Sequence, residues 1–260
     1  MLLYDILSKY TKFADEIQSS PGSITTGFRD LDDAVGGKLK PGETVVMVSP
    51  DPMVRISFAL NLALKNAVNH KIPTLILNSE TSIVQTAKWT LMSTDNYKSI
   101  SKITSLYIED IGKSDIEDLK ERISKLKESS DIGVVIVNPM NYVYQHIPDA
   151  KGQSFNKMAE YLNEMKELAK KLNIVIVLTA RIIHELKLPD EIAAGNTAAD
   201  LLISIEMLAD TYEENNKRIV TVNKGGKNIT MFVIGFDRTC LRFYDLEDDK
   251  DLPEHISKDK

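Results

Sequence analysis

The chain has 260 residues, of which 43% are hydrophobic and 27% charged, and its formal net charge is −6. These values are ordinary for one large globular domain with a full core. No apolar run approaches the roughly 18 residues of a membrane span, and a single cysteine excludes a disulfide framework or a cysteine zinc cluster. The acidic balance argues against a strongly basic nucleic-acid-binding protein. Because the N-terminus has no basic, apolar secretion signal, we expect a cytoplasmic protein.

Residues 1–20 form the first predicted unit, an amphipathic helix over residues 2–18 that is followed by a break at 19–23. Its apolar side chains recur at three- and four-residue spacing, which is typical of a helix with one buried face. The apolar face suits either packing on the same domain or docking on a neighbouring subunit. The candidates for this partner-binding face are Leu3, Ile6, Leu7, Tyr10, Phe13 and Ile17.

From residue 44 onward, apolar strands alternate with helical segments, which predicts an α/β fold with a mostly parallel sheet flanked by helices. The predicted strands are 44–49, 74–79, 105–109, 133–138 and 173–179, and the predicted helices are 55–69, 82–94, 114–129 and 154–172. Later the pattern changes to strands alone, about 201–207, 218–223, 229–236 and 240–244. We expect these to extend the C-terminal edge of the sheet, partly antiparallel. Residues 245–260 carry seven acidic and three basic side chains, which predicts a disordered tail.

A segment of eight residues lies between the first strand and the next helix, where a phosphate-binding loop is expected. It comprises Ser49, Pro50, Asp51, Pro52, Met53, Val54, Arg55 and Ile56. The Walker A motif reads G-x-x-x-x-G-K-[ST], but here Arg55 stands at the lysine position and Ile56, which offers no oxygen to Mg²⁺, at the hydroxyl position. Pro50 and Pro52 have no N–H to donate to a phosphate. The segment therefore predicts no cofactor, and Mg-ATP is expected only if the altered loop still binds nucleotide.

Several short motifs resemble the opening of the RecA-like motor domain of DnaB-type replicative DNA helicases. That opening reads T-G-F-x-x-L-D, G-G, L-x-P-G-[DE], a Walker A loop and F-A-L-N. The matching stretches here are Thr26–Asp32, Gly36-Gly37, Leu39–Glu43 and Phe58–Asn61. The resemblance spans about residues 20–244, and it implies a RecA-like P-loop NTPase fold for a domain at 21–244. Residues 2–18 then correspond in position to the family's linker helix, and we expect no counterpart of the family's N-terminal domain.

The resemblance also implies roles for individual residues. Glu80, in Asn78–Ser82, matches the glutamate that acts as general base on the attacking water, although a polar strand-end residue is an equal alternative. Asn138 stands at the position of the Walker B aspartate, where neither it nor Val137 in the alternative register has a carboxylate for Mg²⁺. In the late K-x-R-N-G segment only Lys224 is retained, and a glycine replaces the arginine finger.

Three ATP-handling features are thus altered together, which predicts a protein that does not hydrolyse ATP. The leading hypothesis is a scaffold of DNA replication that binds a replicative helicase, a loader or copies of itself in a ring. One alternative is an active, divergent ATP-dependent helicase or translocase that uses Arg55 and Glu80. A second is passive binding of single-stranded DNA through Lys224, Lys227 and the loop at 146–151. No metal site is predicted.

Overall fold

A computed structural model describes residues 24–94, 104–112, 114–140, 154–181, 199–208, 216–224 and 228–246, without the side chains at 154–158, 228 and 229. The predicted helix at 2–18, with its six partner-binding candidates, lies outside the described residues. So do Lys227, the loop at 146–151 and the acidic segment from 247 onward.

Five helices and nine strands make up the described part of the chain. The helices are α1 (Arg29–Ala34), α2 (Pro52–Leu64), α3 (Ile83–Met92), α4 (Ile116–Ser130) and α5 (Ser154–Leu172). The strands are β1 (Thr44–Val48), β2 (Thr74–Asn78), β3 (Leu106–Asp110), β4 (Val134–Asn138), β5 (Val175–Ala180), β6 (Leu201–Met207), β7 (Lys217–Lys224), β8 (Asn228–Asp237) and β9 (Arg242–Tyr244). No described helix is both long enough and apolar enough to cross a membrane.

All nine strands form one sheet in the order β3-β2-β4-β5-β1-β6-β7-β8-β9. The strands from β3 to β6 in this order are parallel, and β7, β8 and β9 add antiparallel to β6 at one edge. This architecture confirms the predicted mostly parallel sheet with an antiparallel C-terminal extension. Buried strands such as β4 and β5 are apolar along their whole length because helices cover both faces of the sheet.

Helix α2 differs from its predicted bounds of 55–69 at both ends. It begins at Pro52, because the Asp51 carboxylate accepts a hydrogen bond of 2.8 Å from the Met53 N–H and proline suits the first helical position. It ends at Leu64 and continues into a π turn at Lys65–Asn69. Helix α1, of six residues, was not predicted because a single short turn leaves little periodic signal.

The core has two layers, one on each face of the sheet. One layer packs α2 and the opening segment against the sheet, with the Phe28 ring in contact with the rings of Phe58 and Phe243. The other layer packs α4 and α5 against the opposite face. Helix α2 leads from β1 through the first layer, so its N-terminus and the residues before it lie at the carboxyl edge of the parallel strands. This is the edge at which α/β sheets bind ligands.

The opening T-G-F-x-x-L-D stretch builds a turn that is held by one partly buried carboxylate. Asp32 accepts hydrogen bonds from the Thr26 N–H at 2.7 Å and the Thr26 hydroxyl at 2.8 Å, and from the Thr25 hydroxyl. Burial raises the pKa of Asp32, against the opposing effect of these hydrogen bonds. Gly27 has φ +92°, and a Cβ there would lie 2.6 Å from the Lys65 Cγ. The motif therefore has a clear structural role.

Candidate nucleotide site

The loop between β1 and α2 has only three residues, Ser49–Asp51. The later part of the eight-residue segment, Pro52–Ile56, is already helical. A phosphate-binding loop needs a longer stretch of backbone to wrap around the phosphates with consecutive N–H groups. The connection is therefore too short to form such a cradle, whichever side chains it carries.

Four backbone N–H groups at this loop are already engaged within the protein. Ser49 donates to the Ala180 carbonyl at 3.2 Å, and Arg55 donates to the Asp51 carbonyl at 3.2 Å. Asp51 donates to the Ser49 hydroxyl at 3.4 Å, and Met53 donates to the Asp51 carboxylate. Pro50 and Pro52 have no N–H. A phosphate would have to displace these internal bonds to gain the donors that a Walker A loop offers freely.

Arg55 fills the space behind the loop with its own side chain. Its guanidinium donates through Nη1 to the Ser49 carbonyl at 2.7 Å and the Pro50 carbonyl at 3.3 Å, and through Nη2 to a Glu80 carboxylate oxygen. Arg55 is 1% exposed. The loop thus turns carbonyl oxygens, and not N–H groups, toward the position where the motif has its lysine. The positive charge that the sequence retains is neutralised by Glu80.

A second ion pair closes the outer side of the loop. Besides capping α2, the Asp51 carboxylate pairs with Arg238, which lies in the turn between β8 and β9. Arg218 lies nearby, with its guanidinium 5.0 Å from the centre of the Phe236 ring. Burial lowers the pKa of Arg218, and the positive charge of Arg238 adds to this effect. The Asp51 carboxylate is thus held both by the α2 backbone and by Arg238.

The predicted metal position is part of a neutral, buried hydrogen-bond chain. Asn138 accepts from the Thr179 hydroxyl at 2.6 Å and donates to the Asn78 side-chain oxygen at 2.8 Å. Asn78 in turn donates to the hydroxyls of Thr81 and Thr86, each at 2.9 Å. This chain joins the carboxyl ends of β5, β4 and β2 and leads into α3. Both polar atoms of the Asn138 side chain are hydrogen-bonded within the protein, and the side chain offers Mg²⁺ no charge.

The described residues therefore do not fit Mg-ATP. No cluster of three or more histidine, cysteine, aspartate or glutamate side chains suited to a metal occurs in the described ranges. The loop lacks an N–H cradle, Arg55 is fixed by carbonyls and a carboxylate, and Asn138 is neutral and hydrogen-bonded through both polar atoms. One oxygen of Glu80, Oε2, is buried without a hydrogen-bond partner among the described residues.

Lys224 lies at the opposite end of the strands from the loop. It pairs in register with Leu201 at the start of β6, which in turn pairs with Val45 at the start of β1. Its Nζ donates to the Val35 carbonyl at 2.7 Å, at the C-terminal end of α1. The described geometry therefore gives Lys224 a structural contact within its own chain. The glycines that follow it, at 225 and 226, lie outside the described residues.

Sequence reasoning missed the partners that close the site. Arg238 is 187 residues from Asp51, and Asn78 is 60 residues from Asn138. The chain carries no local signal for either contact. The polar residues at successive strand ends were the only available hint, because the carboxyl ends of neighbouring parallel strands meet at one edge.

The fold is that of a RecA-like domain: a mostly parallel sheet covered by helices on both faces, with antiparallel strands at one edge. Two solved structures share this fold. One, described as an ATPase domain, superposes with a TM-score of 0.73 at 16% identity, over 93% of this chain and 99% of that one. "The Structure Of A DnaB-Like Replicative Helicase And Its Interactions With Primase" gives a TM-score of 0.72 at 17% identity, over 91% and 67%.

Among such domains, the chain resembles the C-terminal motor domain of DnaB-type replicative helicases, as its opening motifs indicated. The family described as "DnaB-like helicase C terminal domain" matches residues 87–190. The replicative DNA helicase DnaB of Buchnera aphidicola is 24% identical over 187 residues, which are 63% of this chain and 40% of that protein. DnaB of Haemophilus influenzae is 24% identical over 265 residues, 90% of this chain and 54% of that protein. The chain spans about half the length of the curated relatives it matches.

Proposed function

We propose that this chain is a DnaB-like protein of DNA replication that does not hydrolyse ATP and acts as a scaffold. Its partners in this proposal are a replicative helicase, a helicase loader or further copies of itself in a ring. This scaffold role needs neither a nucleotide nor a metal. We propose that the protein acts in the cytoplasm. The observation that carries the proposal is the Arg55 guanidinium, which is bonded to two loop carbonyls and to Glu80.

An exposed apolar face on α3 supports a protein partner. Its side chains are 46 to 66% exposed, namely Ile83, Val84, Leu91 and Met92. Helix α3 faces the core with Thr86, Thr90 and Trp89, and the four exposed apolar side chains lie away from it. Contiguous exposed apolar surface marks interaction sites. The predicted helix at 2–18 of another copy is one occupant of this face, and the primase named with one structural neighbour suggests another class of partner.

Calorimetric titration with Mg-ATP up to millimolar concentration tests the loss of nucleotide binding. We expect no heat beyond dilution and no rise in melting temperature, because a ligand stabilises only the state it binds. Titrations with MgCl₂ alone and with metal-free ATP are the controls. Binding at micromolar affinity would sink the proposal in favour of an active motor, and Glu80→Gln would then abolish ATP hydrolysis.

The partner is tested by light scattering on the chain alone and on its mixture with a DnaB-type helicase. We expect a complex in at least one case, and we expect Val84→Glu to weaken it because a charge would enter the apolar contact. Ser129→Glu, which adds the same charge at an exposed position of α4 on the opposite face of the sheet, is the matched control. The alternative, single-stranded DNA binding, would be supported by three results together. The chain would stay monomeric, it would form no complex with the helicase, and it would bind DNA with a steep salt dependence.

A further inference from the structure

Helix α3, which carries the exposed apolar face described above, is attached to the rest of the domain largely by polar contacts. Its two buried side chains are Thr86 and Thr90, and Trp89 is partly buried against the core. The hydrophobic effect holds elements together without fixing their relative orientation, because it is non-directional. Hydrogen bonds, in contrast, prefer a nearly linear geometry. The rotation of α3 about its axis, and with it the direction of the apolar face, therefore depends on hydrogen bonds.

Polar side chains anchor α3 at both ends. At the N-terminal end, the Asn78 amide donates to the hydroxyls of Thr86 and Thr81, each at 2.9 Å, and to the Thr81 carbonyl at 3.0 Å. Asn78 thus binds both the helix and the segment that leads into it. At the C-terminal end, the Ser93 hydroxyl donates to the Leu241 carbonyl at the longer distance of 3.3 Å. The contacts of Asn78 are therefore the stronger anchor.

The orientation of the Asn78 amide is fixed by the two strands behind it. The Thr179 hydroxyl donates to the Asn138 oxygen at 2.6 Å, and the Asn138 Nδ2 group donates to the Asn78 oxygen at 2.8 Å. With its oxygen bound on this side, Asn78 presents its Nδ2 group to Thr86. All four side chains belong to residues that are at most 1% exposed. Solvent is largely excluded here, so each lost bond is costly.

We propose that Asn78 is the positioning residue of the partner-binding face, because it holds α3 in the orientation that presents Val84 and Leu91. This inference rests on the proposed function, in which α3 binds a protein partner. Val84 and Leu91 are seven residues apart, about two helical turns, so they share one side of α3, and Thr86 lies on the other side. Without the bond from Asn78 to Thr86, α3 detaches more often and its apolar face is presented less often.

Two threonine-to-valine changes on the buried side of α3 test the anchor by hydrogen exchange of the full chain. A helix of ten residues is not stable alone, so an α3 that detaches also exchanges its amides. Thr86→Val removes the hydroxyl that accepts from Asn78 and keeps the branched shape. We expect the amides of residues 87–92 to exchange about tenfold faster, which corresponds to about 1.4 kcal/mol, the scale of one interior hydrogen bond.

Thr90→Val is the matched control for this measurement. Among the described residues, the Thr90 hydroxyl donates only to the Thr86 carbonyl of its own helix, and such local bonds add little, so we expect a change below about twofold. Unchanged exchange in β4 and β5 shows that both variants are folded. Equal exchange of α3 in the two valine variants would overturn the positioning role of Asn78.

The affinity of the complex that the parent forms, with a DnaB-type helicase or with itself, tests the link to the partner. Thr86 is 0% exposed and lies opposite the apolar face. Because affinity scales with the fraction of molecules in the competent orientation, we expect Thr86→Val to weaken the complex about threefold, and at most by the tenfold factor of exchange. Thr86→Ser, which keeps the hydroxyl, should restore both readouts, and Thr90→Val should leave the affinity unchanged.

The two measurements separate this inference from the proposed function. Faster exchange of α3 in Thr86→Val with unchanged affinity would overturn the link between Asn78 and the partner. A parent chain that forms no complex would contradict the proposed function itself, a result that is seen before any variant is compared. Hydrogen exchange then still decides whether Asn78 positions α3.

Discussion

The Arg55–Glu80 ion pair gives the sharpest test of how the loop is closed. Replacing Arg55 by methionine keeps most of the buried side-chain volume and removes the charge. The Glu80 side chain, which is 19% exposed, then loses its cation, and the Ser49 and Pro50 carbonyls lose a donor. Breaking a buried pair from one side costs about 3–5 kcal/mol. Because Glu80 keeps some contact with solvent, we expect a loss near the lower limit, about 3 kcal/mol.

The reciprocal change, Glu80→Gln, is expected to cost as much, because it leaves the buried Arg55 guanidinium without its counter-ion. Arg55 keeps its bonds to the two carbonyls, and the glutamine oxygen still accepts from Nη2, so we expect a loss near the lower limit, about 3 kcal/mol. In the double variant, the uncompensated carboxylate of Arg55→Met is removed. The double variant should therefore lose less stability than the sum of the single variants, by at least about 1 kcal/mol.

Urea unfolding measures the stability of the parent, the two single variants and the double variant, which together form a double-mutant cycle. All four curves are fitted with a common m-value. Additive losses, or an Arg55→Met loss below about 1 kcal/mol, would refute the view that the pair fastens the loop. The same proteins, titrated with Mg-ATP, provide a second readout. We expect no gain of nucleotide binding in Arg55→Met, because the loop N–H groups remain bonded within the protein and the connection is still three residues long.

Three further changes probe the other contacts by urea unfolding. Asn138→Asp places a buried carboxylate oxygen against the Asn78 oxygen, so we expect a loss of about 2–4 kcal/mol at neutral pH, and no tighter Mg²⁺ binding. Burial alone would raise the pKa of Asp200, but its bonds to Lys166 and to a backbone N–H outweigh burial and lower it. Its contribution is thus present above the unfolded pKa of about 4 and lost as pH falls through the folded value, so Asp200→Asn should flatten the acid-side loss of stability. Lys224→Met removes the bond to a helix-end carbonyl and should cost about 1 kcal/mol.

The changes at Asp200 and Lys224 have matched controls on exposed residues. Glu128→Gln removes a carboxylate from the surface of α4 and should leave the acid-side slope as it is in the parent. Lys171→Met removes an exposed lysine and should stay within about 0.5 kcal/mol of the parent. If Asn138→Asp were as stable as the parent and bound Mg²⁺, position 138 would be a metal-binding Walker B position after all. A Lys224→Met variant of unchanged stability would argue that the lysine serves a partner and not its own chain.

The order of strands and helices was predictable because each buried strand is an apolar run and each helix has its own period. The antiparallel edge was predictable as well, since the sequence has no helical pattern between the apolar runs after Leu201. The closure of the loop was not, because it depends on contacts that join distant parts of the chain. The pairing of Arg238 with Asp51, and that of Lys224 with the Val35 carbonyl, leave no mark in local sequence. The early start of α2 did have a local signal, namely an aspartate followed by a proline. Because residues 49–56 were compared with the Walker A motif, the helix was predicted to begin later, at residue 55.

The altered residues at the site are physically dependent on one another. Without Mg²⁺, an aspartate at position 138 would be a buried charge among neutral amides and hydroxyls. A neutral asparagine is therefore the expected residue in a domain that has lost its phosphate-binding loop. Likewise, Glu80 has a reason to be present without catalysis, because Arg55 would otherwise be a buried cation held only by carbonyl dipoles. The presence of Glu80 is therefore not evidence for a general base. An active motor would need Arg55 to leave Glu80 and the loop carbonyls and would need the α2 N-terminus to unwind, and each step breaks bonds that the described structure makes.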